Sequence, residues 1–296
     1  MKNYKYNYET AFKILNEIES EHGDYSNKQD CSKLYDAIKS VTAESRSIVG
    51  IDIYKYSSFE FGKQSLIPFI FEMLYRETTR NCLDAEPWLF QYLSEKKFSS
   101  SFISTGDGGF QELRSPLHAL IFIIHFELNL RAYNSGLFYP KLMKEVGQLS
   151  LRYVITYGKV LVYGNNRFGP AIINNARILS RDKLNRLLID GSTHDWFMTN
   201  MNGIETIPLL NLGDCQKMSR FKIYKGDLIG LLINEEGCEI THLSSSRLSD
   251  LHVKEQVLRV HNVYVQAKME IDVKEDHVPY GKVMVTVGSP NATGIE

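Results

Sequence analysis

The sequence is poor in the features that mark membrane, secreted and nucleic-acid-binding proteins. Its 296 residues hold only four cysteines and no CxxC pair, which suits a reduced cytoplasmic interior better than a disulfide framework or a zinc site. The formal net charge is −1, so no overall basic field points to nucleic acid. No apolar stretch of a signal peptide opens the chain, and no apolar run approaches the roughly 20 residues that span a bilayer. We therefore expect a cytoplasmic protein that contacts neither membrane nor nucleic acid.

What is present is the composition of an ordinary globular protein, with 43% hydrophobic and 23% charged residues. The chain has no internal repeat and no low-complexity linker, and its length suits one large domain or two modest ones. Residues 1–44 carry apolar positions at helical spacing and form a predicted helical extension, with a packing or dimerisation role. Residues 45–190 form the predicted core, and 191–296 form a β-rich C-terminal part.

Hydrophobic periodicity divides the core into strands and helices, with 78–95 left unassigned. The predicted strands span residues 47–54, 98–105, 110–114, 149–157, 158–163 and 187–190. The predicted helices span residues 57–77, 116–134, 140–148 and 170–179. A GDGG turn joins the second and third strands as a hairpin, and the fourth and fifth are expected to pair antiparallel. This order describes an α+β sandwich, with helices on one side of a largely antiparallel sheet.

The C-terminal part contains predicted strands only. They span residues 221–224, 228–234, 259–272 and 282–288. These strands either complete or extend the sheet of the core, or form a small separate unit. The closing segment SPNATGIE is expected to be a loose tail.

Two aspartates carry the chemistry that the sequence suggests. Asp52 stands inside an otherwise apolar strand, where an unpaired carboxylate would be costly, and Asp107 stands at the tip of the glycine-rich hairpin. If the two strands are neighbours, both carboxylates meet at one end of the sheet, and a divalent cation relieves their repulsion. Hard oxygen ligands suit Mg²⁺ or Mn²⁺, and Gly106, Gly108 and Gly109 would let a phosphate approach the backbone N–H groups. Taken singly, each motif is more often structural: a satisfied strand aspartate and an ordinary hairpin turn.

Four short motifs follow one another along the core. They span residues 52–57 (DIYKYS), 106–108 (GDG), 152–160 (RYVITYGKV) and 168–177 (FGPAIINNAR). Together they resemble the catalytic domain of class III adenylate and guanylate cyclases, over about residues 46–190. The resemblance implies a class III cyclase-like sandwich, and an enzyme that closes a nucleoside triphosphate into its 3′,5′-cyclic monophosphate. Each motif alone is weak, whereas four in register are fairly specific.

The resemblance also implies roles for particular residues. Asp52, Ile53 and Asp107 of one protomer would hold two divalent metal ions, Mg²⁺ or Mn²⁺, that activate the ribose 3′-hydroxyl and brace the α-phosphate and the leaving pyrophosphate. Arg177 matches an arginine that family members supply from the opposite protomer to the transition state. The active sites would therefore be shared across a head-to-tail homodimer. The alternative for Arg177 is an ordinary arginine on a helix surface.

The sequence departs from the family's pattern at three positions. The transition-state asparagine is replaced by Ile173, so either Asn174 takes its role or the role is missing. The lysine and aspartate that read adenine are replaced by Ile103 and Asn166, and an asparagine amide offers both a donor and an acceptor to a pyrimidine edge. Tyr56 could shorten the base pocket. Asn166 could instead be only a turn residue in a loop.

With these departures, the sequence resembles most closely the pyrimidine cyclases of bacterial Pycsar anti-phage defence, which are stand-alone soluble enzymes. The resemblance implies that UTP, or else CTP, is converted to cUMP or cCMP, which activates a separate downstream effector. Two other hypotheses stay open: an adenylate or guanylate cyclase with atypical base contacts, and a non-enzymatic cyclase-like dimer that binds nucleotide. The intact Asp52, Asp107 and Arg177 argue against the non-enzymatic alternative, and Ile173 argues for it.

Overall fold

The computed structural model describes the chain in separate ranges. They are residues 13, 16, 17, 44–163, 166–209, 238–253, 256–271, 281–291 and 293–295. The predicted helical extension and the predicted strands 221–224 and 228–234 therefore lie almost wholly outside the described residues. Within the described ranges, no helix combines the length and the apolar character needed to cross a membrane.

The described strands and helices are numbered in chain order. The strands are β1 (Glu44–Ile53), β2 (Phe102–Ser104), β3 (Gly108–Leu113), β4 (Leu151–Tyr163), β5 (Asn166–Phe168), β6 (Leu187–Asp190), β7 (Cys238–Val253), β8 (Gln256–Ile271) and β9 (Gly281–Val287). The helices are α1 (Phe61–Ala85), α2 (Pro87–Phe90), α3 (Glu95–Ser100), α4 (Pro116–Asn134), α5 (Pro140–Val146), α6 (Pro170–Arg181) and α7 (Gly191–Met201). Short 3₁₀ segments lie at Tyr56–Ser58 and Ile204–Leu209.

One continuous sheet connects the core with the described C-terminal strands. Its strand order is β2-β3-β1-β4-β6-β8-β7, with β5 paired to β4 and β9 paired to β8. The pair of β4 with β6 is parallel, and the other pairs of these strands are antiparallel. The predicted α+β class, with a mostly antiparallel sheet and helices packed on it, is confirmed. Strands β7 to β9 continue the sheet beyond β6.

Helices cover both faces of the sheet, and the prediction of a single helical face is wrong. In β1, Val49 packs into the large cluster that contains α1 and α4, whereas its neighbour Ile48 packs with Ala171 of α6 on the other face. A strand that is buried on both faces has a continuous apolar run and not an alternating one, and β1 has such a run at residues 48–51. The central strands therefore have a helical layer on each side.

The predicted helices are confirmed, with changes at their ends. Helix α4 has the predicted bounds and is buried along nearly its whole length, because it lies between α1 and the sheet. Helices α5 and α6 end within two residues of their predicted ends. Helix α1 begins at Phe61, after the 3₁₀ turn, and contains Pro68. It continues past its predicted end to Ala85, since no glycine or proline lies between Glu77 and Pro87. Segment 78–95 is thus largely helical.

Two predicted strands of the core are wrong in part. Residues 98–100 belong to α3, which is capped by Ser94, whose hydroxyl oxygen accepts a hydrogen bond from the Lys97 N–H at 3.4 Å. The predicted antiparallel pair over 149–163 is the single strand β4. Gly158 lies in the middle of that strand, where a Cβ atom would contact Ala171 of α6 at 3.8 Å. Gly158 therefore lies where α6 packs against the strand, and the chain does not reverse its direction there.

The C-terminal part differs from its prediction in three ways. The predicted strands at 259–272 and 282–288 are confirmed as β8 and β9, but α7 and β7 were not predicted. The predicted loose tail is wrong for its described residues. Ile295 forms an isolated antiparallel bridge with Asp182, and the Lys183 N–H donates to the Gly294 carbonyl at 2.9 Å. The end of the chain is therefore docked against the segment that follows α6.

Candidate active site

The pairing of β1 with β3 brings Asp52 and Asp107 together. The antiparallel register sets Asp52 opposite Gly108, and the Ile53 N–H donates to the Asp107 carbonyl at 3.0 Å. The two aspartates thus occupy adjoining positions at one end of the sheet, although 54 residues separate them in the chain. Burial is the main cause that raises the pKa of Asp52, and the charge of Asp107 adds to the rise, as expected for neighbouring carboxylates.

The glycines of the hairpin have structural reasons of their own. Gly106 has a φ of +101°, a left-handed conformation that favours glycine at the turn. A Cβ atom on Gly108 would collide with the Ile51 carbonyl, and one on Gly109 would collide with the ring of Phe102. Close approach of the strands therefore already requires glycine at 108 and 109. The backbone at Asp107 is held against β1 by these contacts.

Arg152 is the residue of this site that the sequence analysis missed. It lies opposite Asp52 in the register of β1 with β4, and its Nε donates to Asp52 Oδ2 at 2.8 Å, with Nη2 in contact with the same oxygen. The signal was available, since Arg152 is the single charged residue of the predicted strand 149–157, as Asp52 is of the predicted strand 47–54, and a charge there needs a partner. Burial raises the pKa of Asp52 above its ordinary value, and the hydrogen bond and charge of Arg152 oppose that rise.

Two carboxylates meet at this point, and the described residues bring no further acidic, histidine or cysteine side chain to them. The described ranges contain no group of three or more His, Cys, Asp or Glu side chains that could hold a metal ion. Proteins nevertheless usually contribute only one or two carboxylate ligands to Mg²⁺, because water and substrate phosphates complete the coordination shell. Asp52 and Asp107, with the backbone at Ile53, therefore fit a divalent ion that arrives with a phosphate ligand, provided that Arg152 gives up the Asp52 oxygen.

Helix α6 is fixed to the sheet by one asparagine. The side chain of Asn175 is buried, and its Nδ2 donates to the carbonyls of Ile48 at 2.8 Å and Val154 at 2.9 Å. Gly50 makes room for this contact, since a Cβ atom there would collide with Asn175 Oδ1. The helix begins at Pro170 after Gly169, whose φ of +128° requires glycine. Asn175 is thus committed to the sheet and has no amide hydrogen available for a ligand from elsewhere.

The residues of α6 that were predicted to act in catalysis, Asn174 and Arg177, lie at half-buried positions of the helix. Ile173 is 48% exposed, and the amide oxygen of Asn174 is buried without a hydrogen-bond partner within the described residues. Arg177 is half-buried, and none of the described side chains forms an ion pair or hydrogen bond with its guanidinium. No described contact joins Asn174 or Arg177 to Asp52 or Asp107 within the chain. The structure thus brings the two aspartates together and leaves the helix residues apart from them.

The three predicted base-contact residues occupy different elements. The Tyr56 hydroxyl donates to the Gln64 carbonyl at 3.1 Å, so that Tyr56 ties the 3₁₀ turn to α1. Ile103 lies in β2 opposite Phe110 and is half-buried. Asn166 is the first residue of β5, paired with Tyr163, and so lies in a strand and not in a turn. Ile103 belongs to the same hairpin as Asp107.

No protein-family profile and no curated protein matches the chain. Among solved structures, it is similar to an adenylate/guanylate cyclase/hydrolase from Silicibacter pomeroyi, with 12% identity over 74% of this chain and 95% of that chain, and a TM-score of 0.40. It is similar to the adenylyl cyclase CyaB from P. aeruginosa, with 11% identity over 79% of this chain and 98% of that chain, and a TM-score of 0.43. It is also similar to the catalytic core of a rhodopsin-guanylyl cyclase with converted specificity, with 13% identity over 75% of this chain and 96% of that chain, and a TM-score of 0.43.

Proposed function

We propose that the chain is a nucleotide cyclase that converts a nucleoside triphosphate into its 3′,5′-cyclic monophosphate and pyrophosphate. The single observation that carries the proposal is the meeting of Asp52 and Asp107 at a glycine turn, where two carboxylates suit an ion bound to phosphate. In the reaction the ribose 3′-oxygen attacks the α-phosphorus, its proton leaves, and the bond from the α-phosphorus to the bridging oxygen of the β-phosphate breaks. Two Mg²⁺ or Mn²⁺ ions held by Asp52, Ile53 and Asp107 would supply the Lewis acidity.

A second copy of the chain would complete the site. Among the described residues, no hydrogen bond or ion pair uses the Arg177 guanidinium or the Asn174 amide hydrogens. Both groups are donors, and a transition-state phosphate with growing negative charge accepts from such donors. Large apolar side chains lie exposed on α6 and on the adjoining strands, namely Ile173 at 48%, Val162 at 41% and Phe168 at 49%. Such exposure fits an interface that surrounds Arg177. We propose a head-to-tail homodimer in which Arg177 and Asn174 act in the partner's site.

The proposed substrate is a pyrimidine nucleoside triphosphate, with UTP favoured over CTP. Ile103 has no charge or hydrogen-bonding group for a purine edge, and Asn166 offers an amide donor and acceptor in place of a carboxylate. Tyr56 would limit the depth of the base pocket. The proposal includes cytoplasmic action as the signal-producing enzyme of a bacterial anti-phage system, with a cyclic-nucleotide-activated effector as its partner. It takes 45–190 as the catalytic core, 1–44 as a helical extension and 191–296 as its C-terminal continuation.

One specific observation favours a second candidate, a nucleotide-binding dimer without turnover. Ile173 occupies the position at which the resembling family has its asparagine, and its exposed side chain cannot hydrogen-bond a phosphate. The Arg152 ion pair also competes with a cation for Asp52. In this candidate, triphosphate and ion bind at Asp52 and Asp107, but the 3′-oxygen does not attack.

Incubation of the purified protein with ATP, GTP, CTP and UTP in separate reactions with Mn²⁺, followed by mass identification of products, tests the proposal. We expect cUMP from UTP, with less cCMP from CTP. Formation of cAMP or cGMP as the main product would contradict the assignment of a pyrimidine substrate but would support the proposed cyclase activity. If the protein binds triphosphate but forms no cyclic product, the result would contradict the proposed cyclase and favour the nucleotide-binding dimer without turnover.

A further inference from the structure

Arg152 is held from two sides. Besides the contact with Asp52, its Nη1 donates to the main-chain carbonyl of Asp182 at 2.5 Å. Asp182 follows the last residue of α6 and begins the segment 182–186 that leads into β6. Because a guanidinium is planar and rigid, an acceptor on Nη1 fixes the direction of Nε and Nη2 as well. The position of segment 182–186 therefore determines how well Arg152 faces Asp52.

Segment 182–186 is closed by an ion pair whose two side chains are completely buried. Arg186 Nε donates to Asp182 Oδ1 at 3.0 Å, and Nη2 lies 2.9 Å from the same oxygen. A buried ion pair costs free energy in proportion to the donors that other groups leave unsatisfied, so each further acceptor stabilises it. One of these groups comes from the end of the chain, since Arg186 Nη1 donates to the Asn291 carbonyl at 2.7 Å. The hydrogen bonding of segment 182–186 thus depends on a carbonyl from the C-terminal residues.

The described residues of the C-terminal tail, 289–291 and 293–295, dock on this segment. The Lys183 N–H donates to the Gly294 carbonyl, and Ile295 bridges to Asp182 and packs against the cluster that contains Ile178. Gly294 has a φ of +81°, and a Cβ atom there would lie 3.0 Å from the Cγ of Leu184. The docked conformation of the tail therefore requires glycine at 294.

We propose that the C-terminal tail positions Arg152 against Asp52 and thereby limits the access of a divalent cation to that carboxylate. The inference rests on the proposed function, in which Asp52 is a metal ligand. Arg152 and a cation compete for Oδ2 of Asp52, so every contact that fixes Arg152 in place weakens cation binding. Undocking of the tail frees segment 182–186, removes the second acceptor of Arg152 and makes Asp52 easier to occupy. Asp182, Arg186 and Gly294 are positioning residues in this arrangement.

The competition between Arg152 and a cation for Asp52 can be measured by titrating the protein with Mn²⁺ in the absence of nucleotide. The electron paramagnetic resonance signal of free Mn²⁺ gives the Kd. We expect Gly294→Val and Ile295→Asp to lower the Kd for Mn²⁺ by about three- to tenfold, the effect of losing one ordinary hydrogen bond of about 0.7–1.4 kcal/mol. Pro290→Ala, at an exposed position of the same tail, should match the unmodified protein. A role of the tail in stability alone would leave Mn²⁺ affinity unchanged or lower it. Unchanged or weaker binding in the folded tail variants would overturn the proposal.

A measurement on the unmodified protein covers the case in which the tail variants do not fold. Coupling is reciprocal, so Mn²⁺ binding should undock the tail and speed hydrogen exchange at the Lys183 amide, which donates to Gly294. Exchange at Lys183 that is unaffected by saturating Mn²⁺ would reject the coupling. The Asp52→Asn variant separates the two proposals. If it retains Mn²⁺ binding, the assignment of Asp52 fails and the inference falls with it; if it loses binding while the tail variants are unaltered, only the tail inference fails.

Discussion

The two halves of the candidate site differ in how they are completed. Asp52 and Asp107 are brought together within one chain by strand register, and Arg152 already neutralises part of their charge. Asn174 and Arg177, in contrast, lie on α6 without a described partner, beside exposed apolar side chains. A single chain therefore assembles the acidic half alone and leaves the helical half open to another molecule. This division is what a site shared between two copies requires.

The same contrast occurs within α6, between two consecutive residues. Asn175 donates its amide hydrogens to carbonyls of the sheet, whereas the Asn174 side chain takes part in no hydrogen bond among the described residues. Successive side chains of a helix differ by about 100° around its axis, so one can hydrogen-bond to the sheet while the next projects in another direction. The helix is thus fixed by one asparagine in the orientation in which Asn174 and Arg177 share a face.

The largest expected effect concerns the acidic half. Asp52→Ala and Asp107→Ala should each lower kcat by at least ~10³-fold, because each removes a carboxylate that would hold the ions at the reacting phosphate. The rate of cyclic-nucleotide formation under saturating Mn²⁺ measures this. Asp84→Ala, at an exposed aspartate of α1, is the matched control and should react at the normal rate. Retained activity in either site variant, with the fold intact by circular dichroism, would refute the role of the pair.

The division of the site between two copies can be tested by mixing variants. Arg177→Ala alone should lower kcat by about 10²- to 10³-fold, as for removal of one transition-state donor. An equal mixture of Asp107→Ala and Arg177→Ala subunits should regain about a quarter of normal activity, because half of the dimers carry one intact site of two. Activity is measured after subunit exchange, with heterodimers detected by differential tagging. Mixtures that contain heterodimers but stay inactive would place both residues in the same protomer's site.

The sequence predicted the acidic pair but not its counter-ion, for a physical reason. Asp52 and Asp107 each stand out through a local pattern, an apolar strand and a glycine turn, and one condition, that the two strands are neighbours, brings them together. The pairing of Asp52 with Arg152 depends on the register of two strands whose residues are 100 positions apart, and no local period records that register. The single charge in each of the predicted strands 47–54 and 149–157 was the signal that a partner was needed.

Errors in the predicted fold have a similar origin. Gly158 suggested a chain reversal, whereas it lies in mid-strand against Ala171, a contact that only the packing of α6 creates. The C-terminal tail has the composition of a loose end, yet it docks because Arg186 needs the Asn291 carbonyl and Ile295 finds an apolar surface. In both cases tertiary contacts decide the conformation of residues whose local preferences are weak.

The two asparagines of α6 should separate stability from catalysis. Asn175→Ala should lower the free energy of unfolding by about 2–3 kcal/mol, since it removes several buried hydrogen bonds and leaves carbonyl oxygens unpaired. Asn174→Ala should change that free energy by less than about 1 kcal/mol and lower kcat by about 10- to 100-fold. Urea unfolding and steady-state kinetics on both variants give the comparison. Normal turnover in Asn174→Ala would mean that the asparagine role is absent from this chain.

The smallest expected effect concerns Ile173 and decides between the two asparagine positions. Positions 173 and 174 lie four and three residues before Arg177, so either could face the same phosphate from the helix. If Asn174 serves, Ile173→Asn adds a second amide where one is already present, and kcat should change by less than about threefold. Ile173→Ala, which removes the exposed apolar side chain without adding an amide, is the control for altered dimer contacts. A rise of kcat by more than about tenfold in Ile173→Asn alone would show that the natural chain lacks this group and that Asn174 does not replace it.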